Sequence, residues 1–399
     1  MIHDGKRLHL YIHIPFCRHR CDYCDFFTRT GVAEHRQNQV VQRTVTQAER
    51  VLQDYGNHDL HTIYLGGGTP SMLSPATQEI VLDFIRSQRR QELAQEVTVE
   101  VNPEDVSPTL LRSLASAGVT RLSVGFQSLQ DTVLHTLGRH GSRYVNLRAL
   151  RTLEQEWSGV GQWSADLITA VPGYTDSLIQ QDIAELMTAG ADHFSVYELT
   201  VHEPTVLGKQ VKRHVFIPMS SDRSHAQLRH IRDTMEGHGY AWYEVSSYCR
   251  PGAEGKHNTG YWEMAPYAGC GPGAVGTLPL PYPTRITNTH DFFTFLKHPQ
   301  WGVTHERLTP DEFMREYLMM GFRRAAGIDK ERFAAVFNIS LDACIPQTME
   351  RWKIAEVTTP GGGAWTLRDE QRYLLDQFLV DAFVELDRTF SPDSWAALS

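Results

Sequence analysis

Cysteine is scarce in this chain, with six in 399 residues. That is too sparse for a disulfide framework. No secretory signal precedes them, so reduced thiols and a cytoplasmic protein are expected. No apolar run reaches the ~18 residues that suggest a membrane span. Positive charge is also short: 38 Lys and Arg against 47 Asp and Glu leave a formal net charge of −9, which argues against nucleic-acid binding as the main business. A phosphate loop is missing too, because Pro360-Gly361-Gly362-Gly363 is not followed by Lys-Ser/Thr and reads as a turn or short linker. A hydrophobic content of 41% fits a globular protein, and 399 residues exceed what one core usually holds, so one large domain plus a smaller one is expected.

Three of the six cysteines stand together. Cys17, Cys21 and Cys24 have C-x3-C-x2-C spacing and follow a strand-like stretch, Leu8–Ile14. Three thiolates on so small a loop can hold three irons of a [4Fe–4S] cluster and leave the fourth iron without a protein ligand. Structural zinc asks for four ligands, usually as two pairs. The other cysteines, Cys249, Cys270 and Cys344, are distant singles, and neither His13 in the strand-like stretch nor His19 in the loop makes a second pair. Arg18, His19 and Arg20 favour thiolates if they face the sulfurs, and otherwise form a solvated loop.

Short β-rich runs alternate with helical patterns. Strands are predicted over Leu8–Ile14, His61–Leu65, Val97–Val101, Arg121–Gly125, Ser164–Thr169 and Phe194–Leu199. Helices are predicted over His35–Leu52, Gln78–Arg89 and Leu110–Ala117, the last capped by Ser107-Pro108. This alternation reads as parallel βα units with right-handed crossovers, whose chemistry belongs at the C-terminal ends of the strands. Polar or glycine-rich groups do follow each strand: Gly66-Gly67-Gly68-Thr69-Pro70; Glu100, Asn102 and Pro103; Gln127 and Arg139; Asp166 and Ile168; Tyr197-Glu198. Singly, each reads more readily as a turn or a solvated group, but together they form a ring.

The loop Cys17-Arg18-His19-Arg20-Cys21-Asp22-Tyr23-Cys24 resembles that of the radical S-adenosylmethionine (SAM) proteins, down to the aromatic residue before the third cysteine. The resemblance implies that SAM chelates the open iron and that one electron from the cluster cleaves it to a 5′-deoxyadenosyl radical, with the protein supplying position and dryness. The ring of polar residues is similar to the coproporphyrinogen-oxidase-like branch. By that likeness the backbone of Gly66, Gly67, Gly68 and Thr69 contacts the SAM amino group, Glu100 binds the methionine end, and Arg139 pairs with the carboxylate. Gln127 and Asp166 take the ribose hydroxyls, Tyr23 and Ile168 line the adenine, and Tyr11 matches a site residue of the oxidase. A guanidinium suits a carboxylate, and acceptor oxygens suit a diol.

Two features resemble the HemW-type haem chaperones within that branch. The oxidase has a fourth cysteine giving C-x-C, where this chain reads Cys24-Asp25-Phe26-Phe27. Beyond Tyr243–Tyr248 lies His257-Asn258-Thr259-Gly260-Tyr261-Trp262, an HNxxYW motif associated in that family with haem. Histidine is a natural axial ligand, and Tyr261 and Trp262 could pack on a porphyrin face. The alternative is a loop whose aromatics anchor a core and whose histidine caps a turn.

The expected fold is therefore α/β: a partial (β/α)6 radical SAM barrel over residues 1–300, with a haem-motif extension at about 235–300, and a smaller, mostly helical C-terminal domain over 301–399 like that of the oxidase. Met314–Ile328 resembles the start of that domain and Tyr373–Leu386 its closing helix. The implied function is binding haem and delivering it to acceptor haem proteins such as respiratory enzymes, with peripheral membrane contact and a homodimer among the expectations. The alternative is an enzyme acting on a porphyrin, such as an oxygen-independent coproporphyrinogen III oxidase. Three departures from the family pattern stand out: Ala170 and Tyr174 replace a glycine and a glutamine after the fifth strand, His202 replaces a glutamate, and Val275 replaces a histidine.

Overall fold

The computed structural model describes residues 7–55, 59–90, 95–279, 283–298, 300–359 and 362–390, so Pro360-Gly361 of the expected turn lies outside the described residues. Six parallel strands follow one another in chain order: β1 (Arg7–Ile14), β2 (Asp59–Gly67), β3 (Glu96–Val101), β4 (Arg121–Gln127), β5 (Gln162–Thr169) and β6 (His193–Glu198). Every predicted strand is present, most of them a residue or two longer than expected. In β1, Leu8, Leu10, Ile12 and Ile14 are at most 1% exposed, while the alternate residues His9, Tyr11 and His13 lie on the opposite face of the strand. That two-residue period is what a strand with helices on one side and a site on the other requires.

The crossover helices include Glu34–Tyr55, Pro75–Arg90, Pro108–Ala117, Arg143–Glu156 and Asp176–Thr188. The expected cap is there: Ser107 accepts the Leu110 N–H, Pro108 opens the helix, and Gly118 closes it at φ +89°.

Six more strands extend the sheet to twelve. β7 (Ala241–Glu244) and β8 (Ser247–Cys249) add antiparallel beyond β6. On the other edge β9 (Tyr267–Cys270) runs parallel to β1, followed by β10 (Val275–Pro279), β11 (Pro283–Thr287) and β12 (Thr304–Arg307), each antiparallel to its predecessor. The segment expected as one haem-motif extension is thus split between the two edges of the sheet.

Between those edges the chain crosses the floor of the half-barrel, at the N-terminal ends of its strands, and forms the short helix Lys256–Trp262. The Glu96 side chain at the start of β3 accepts the Lys256 and His257 N–H groups, each at 3.0 Å. The Thr62 hydroxyl lies 2.7 Å from His257 Nδ1 and 2.8 Å from His9 Nδ1. Gly260 packs directly on β1: a Cβ there would sit 2.4 Å from His9 Cε1. This close approach accounts for glycine inside a helix, where it is intrinsically unfavourable.

The C-terminal part has its own apolar core around Phe322, Phe333 and Phe378. Its helices include Pro310–Phe322, Lys330–Phe337, Pro346–Trp352 and Leu375–Thr389, the first opened by a Thr309–Glu312 capping box. It also holds a small antiparallel sheet that the sequence reading did not anticipate, with β15 (Gly362–Thr366) between β13 (Ile328–Asp329) and β14 (Ala355–Thr359). Among the described residues no helix is long and apolar enough to cross a membrane.

Removing the Glu96 side chain leaves the buried His257 N–H and the part-buried Lys256 N–H without acceptors. Glu96→Ala should lower the unfolding free energy by about 3 kcal/mol, and Glu96→Gln by about half of that, as read from urea denaturation.

Candidate functional site

The cysteine loop leaves β1 and is pinned by backbone bonds. Cys17 N–H donates to Arg29 O (3.0 Å), Asp22 N–H to Leu137 O (3.1 Å), and Cys24 N–H to Cys21 O (3.2 Å). All three thiols are free and half-buried. The Thr69 hydroxyl lies 3.6 Å from Cys17 Sγ, and Arg139 Nη1 lies 3.8 Å from Cys21 Sγ. Burial pushes the Cys17 and Cys24 thiols up. Arg18 and Arg20 are turned elsewhere, to Asp105 and to the Cys24 carbonyl. Burial therefore outweighs the basic residues of the loop, and metal coordination is what would make these sulfurs thiolates. Among the described residues no three His, Cys, Asp or Glu groups gather as a single metal ion needs; a cluster asks instead for one thiolate per iron. Three free sulfurs on one rim, with a guanidinium beside them, fit that demand.

The rim borders a cavity of about 450 Å³ at the C-terminal ends of the strands, lined by the three cysteines, Tyr23, Gly67, Gly68, Thr69, Glu100, Gln127, Arg139, Asp166 and Ile168. Glu100 accepts the Gly67 N–H and the Tyr64 hydroxyl, both at 2.9 Å. Burial nevertheless raises its pKa to about 7. Asp166 accepts from Ser123 (2.6 Å) and Ser164 (3.1 Å), and burial raises it to about 6. Arg139 is held by the Gly125 carbonyl (2.9 Å) and by Asn102 Oδ1 (3.3 Å). Gln127 ends β4 at φ +62°, a left-handed conformation costly for a side-chain-bearing residue and the kind of strain that collects at functional sites. Gly67, at φ +108°, allows the backbone to reach Glu100, and a Cβ there would lie 2.2 Å from His13 Nδ1. Such a cavity offers buried carboxyls for a cation or a diol and a guanidinium for a carboxylate, which fits SAM.

Two expected contacts fall outside this cavity. Gly66 packs behind it, where a Cβ would lie 2.6 Å from Glu100 Oε1. Tyr11 lines a second cavity instead, its hydroxyl 2.8 Å from His13 Nδ1. That second cavity, also about 450 Å³, lies between the floor helix, β9–β10 and the helix Pro310–Phe322, and it is mostly apolar. Tyr261 and Trp262 line it, and so does Val275, where the family pattern has histidine.

The HNxxYW motif is therefore divided. Tyr261 and Trp262 face the second cavity, while Asn258 lines a small polar chamber within the barrel. His257 is 1% exposed, with Nδ1 on Thr62 and Nε2 2.6 Å from the Tyr261 hydroxyl. Both of its nitrogens are engaged, and burial lowers its pKa well below the ordinary value. Iron ligation by His257 would require breaking one of these bonds. Sequence reasoning passed over Tyr64 and Ser123, which line the first cavity. Strand parity is the signal that finds them, since they lie two residues before Gly66 and Gly125.

A buried carboxyl with a raised pKa makes stability depend on pH. Between its ordinary value of 4.5 and about 7, Glu100 keeps its proton in the folded chain and loses it in the unfolded one. The folded state then binds more protons, so stability falls as pH rises through that window. Ligand-free protein should lose up to about 3 kcal/mol on this account, and Glu100→Gln should flatten the slope in urea titrations at pH 5, 6, 7 and 8.

The Radical SAM superfamily matches residues 11–186 and the HemN C-terminal domain matches residues 308–361. A relative named heme chaperone HemW from Bacillus subtilis is 32% identical over 347 residues, 85% of this chain and 89% of that protein. A protein of the same name from Lactococcus lactis is 32% identical over 336 residues, 83% of this chain and 86% of its own. In three dimensions the chain is similar to coproporphyrinogen III oxidase (HemN) of Escherichia coli, with a TM-score of 0.76 over 96% of this chain and 91% of that one. At 16% identity this likeness shows a shared fold. With close to a third of the residues identical over most of both chains, the chain belongs to the radical SAM superfamily and, within it, to the HemW haem chaperone family.

Proposed function

We propose that the chain carries a [4Fe–4S] cluster on Cys17, Cys21 and Cys24, holds SAM against it, and takes haem into the second cavity for delivery to an acceptor haem protein. The observation that carries this reading is the pair of cavities. One carries buried polar and charged side chains and is rimmed by three free thiols; the other is mostly apolar, lined by Tyr261 and Trp262, and within the usual size range of ligand pockets. In this reading Glu100 takes the SAM ammonium, Arg139 its carboxylate, Gln127 and Asp166 the ribose diol, and Tyr23 and Ile168 the adenine, with Gly67, Gly68 and Thr69 close to the methionine end. Gly66 supports Glu100 from behind. His257 and Asn258 serve haem indirectly, by holding the floor helix that presents Tyr261 and Trp262.

The residue at the oxidase's fourth cysteine position, Phe26, is 70% exposed at the rim of the polar cavity and offers no ligand. This favours carriage of the porphyrin over its decarboxylation. Six free thiols suit a reducing compartment such as the cytoplasm. We place the boundary between barrel and C-terminal domain near residue 300, between the last residue of one apolar core, Phe295, and the first of the other, Leu308.

Anaerobic reconstitution of the full chain with iron and sulfide should yield about four irons per chain, and Cys17→Ala, Cys21→Ala and Cys24→Ala should each abolish the cluster spectrum. Added haem should give a Soret band, and Trp262→Ala should weaken its retention by about tenfold, the loss of one good aromatic contact. With SAM and reductant, mass spectrometry should find haem unchanged and coproporphyrinogen III not consumed. Loss of coproporphyrinogen III together with release of 5′-deoxyadenosine would establish the enzyme instead.

A further inference from the structure

The segment that leaves the cysteine loop is tied to β1 by a buried imidazole. Beyond Cys24 the chain returns to the end of β1, where Arg29 N–H donates to Pro15 O at 2.7 Å. Just before that tie, the Phe27 carbonyl lies 3.0 Å from His13 Nε2. A carbonyl only accepts, so Nε2 carries the proton. His13 is 6% exposed and burial lowers its pKa, so the ring is neutral and Nδ1 is a bare acceptor. The Tyr11 hydroxyl, 2.8 Å from Nδ1, is therefore the donor. The chain runs one way, from Tyr11 O–H to Nδ1 and from Nε2–H to Phe27 O.

Tyr11 thus selects the tautomer that holds the loop. Without its proton, Nδ1 would be a buried acceptor left unsatisfied, and the ring would gain by moving its own proton there or by turning. Either change releases Phe27. Tyr11 also lines the second cavity, so one residue belongs both to that wall and to the anchor of the loop. A second contact joins the two. The turn between β9 and β10, two strands of the same cavity wall, packs on both His13 and Phe27. A Cβ on Gly271 would lie 2.5 Å from the His13 carbonyl oxygen, and one on Gly273 2.6 Å from Phe27 Cδ1.

Resting on the cluster and haem readings above, we infer that His13 is a positioning residue for the cluster loop and that Tyr11 makes its hold depend on the second cavity. A porphyrin packed against Tyr11 fixes the hydroxyl on His13. Ligand and loop then order the same two side chains, and the freedom lost is lost once. The cluster is therefore retained longer when the second cavity is filled.

The test uses cluster-loaded full chain under anaerobic conditions and zinc protoporphyrin, a diamagnetic probe that dithionite does not reduce. Probe binding is read from its Soret shift, and cluster loss to an iron chelator from low-temperature EPR of dithionite-reduced samples. In wild type the bound probe should slow cluster loss about tenfold. Tyr11→Phe keeps the ring and removes only the hydroxyl; it should lose the cluster faster than wild type, with less than about twofold protection by the probe. His13→Gln offers an amide N–H to Phe27 but no Nδ1 to Tyr11. Its cluster should be held at close to the wild-type rate with the protection gone, and it decides the case if Tyr11→Phe assembles no cluster. Tyr267→Phe removes a hydroxyl of the same cavity wall that is bonded to Thr277, outside the chain, and should keep the protection. Unchanged or faster loss in wild type with the probe bound would overturn the inference and leave the haem reading standing. So would full protection in Tyr11→Phe or His13→Gln, or lost protection in Tyr267→Phe. Wild type that assembles no cluster, or whose addition leaves the Soret band of the probe unmoved, would overturn both.

Discussion

A half-barrel of parallel strands with polar residues on its inner face cannot stand open at the bottom, because every buried polar group there must find a partner. The helix Lys256–Trp262 meets that constraint. Its N-terminal N–H groups are taken by Glu96, its histidine shares the Thr62 hydroxyl with His9, and the segment leading into it offers the Ala253 carbonyl to the buried Arg121 at 3.0 Å. Next to it His193 is bonded to Ser164 and to Tyr243, both at 2.8 Å. The carboxyl, imidazole and guanidinium groups named here are thus paired, while the Thr259 hydroxyl of the same helix is buried without a partner. Glu96 and Glu100 lie four residues apart on the same inward stripe of β3, yet one completes the floor while the other faces the cavity with a raised pKa. Height along the strand, rather than residue type, separates the structural carboxyl from the ligand-facing one.

The same floor also separates the two cavities. Tyr64 lines the polar one and Tyr11 the apolar one, and their ring centroids are 6.0 Å apart. His257 stacks at a tilt 5.0 Å from Tyr64 and hydrogen-bonds Tyr261. Because Tyr64 donates to Glu100, a cation arriving at that carboxyl acts on one side of a wall whose other side lines the second cavity. Any influence of one ligand on the other must be matched by an equal influence in return, and this packed wall of aromatic rings is the material through which it would pass.

The barrel was legible in the sequence because its strands alternate between an apolar face packed on helices and a polar face toward the interior, as in Leu8-His9-Leu10-Tyr11-Ile12-His13-Ile14, with charged helices between them. The cluster loop was legible because its ligands are local. The floor was not, since the partners of His257 are Thr62 and Tyr261, and nothing in the spacing of a histidine reports that both of its nitrogens are occupied. Tyr11 was misplaced for a similar reason. The side of β1 on which it works depends on β9, which joins that edge from some 250 residues away. The strands of the C-terminal domain are two to five residues long, and the middle one opens on two glycines, too short for a period to be read.

The departures from the family pattern differ in how the structure absorbs them. Ala170 adopts φ +59°, which suits the glycine it replaces. Around it, however, Gln227 accepts the Ala170 N–H at 3.0 Å and the Thr169 hydroxyl at 2.5 Å and donates to Tyr174 O at 2.7 Å, while the Tyr174 hydroxyl is bonded to buried Asp182 at 2.6 Å. The loop after β5 is therefore fixed by a hydrogen-bond network that tolerates the strain, and the change stays structural. His202 lies at the rim of the polar cavity, 3.6 Å from Asp25, and keeps a polar group there. Val275 is of another kind. An aliphatic side chain on the wall of the second cavity can neither donate to a ligand nor accept from it, and the nearby imidazole of His257 has both nitrogens bonded.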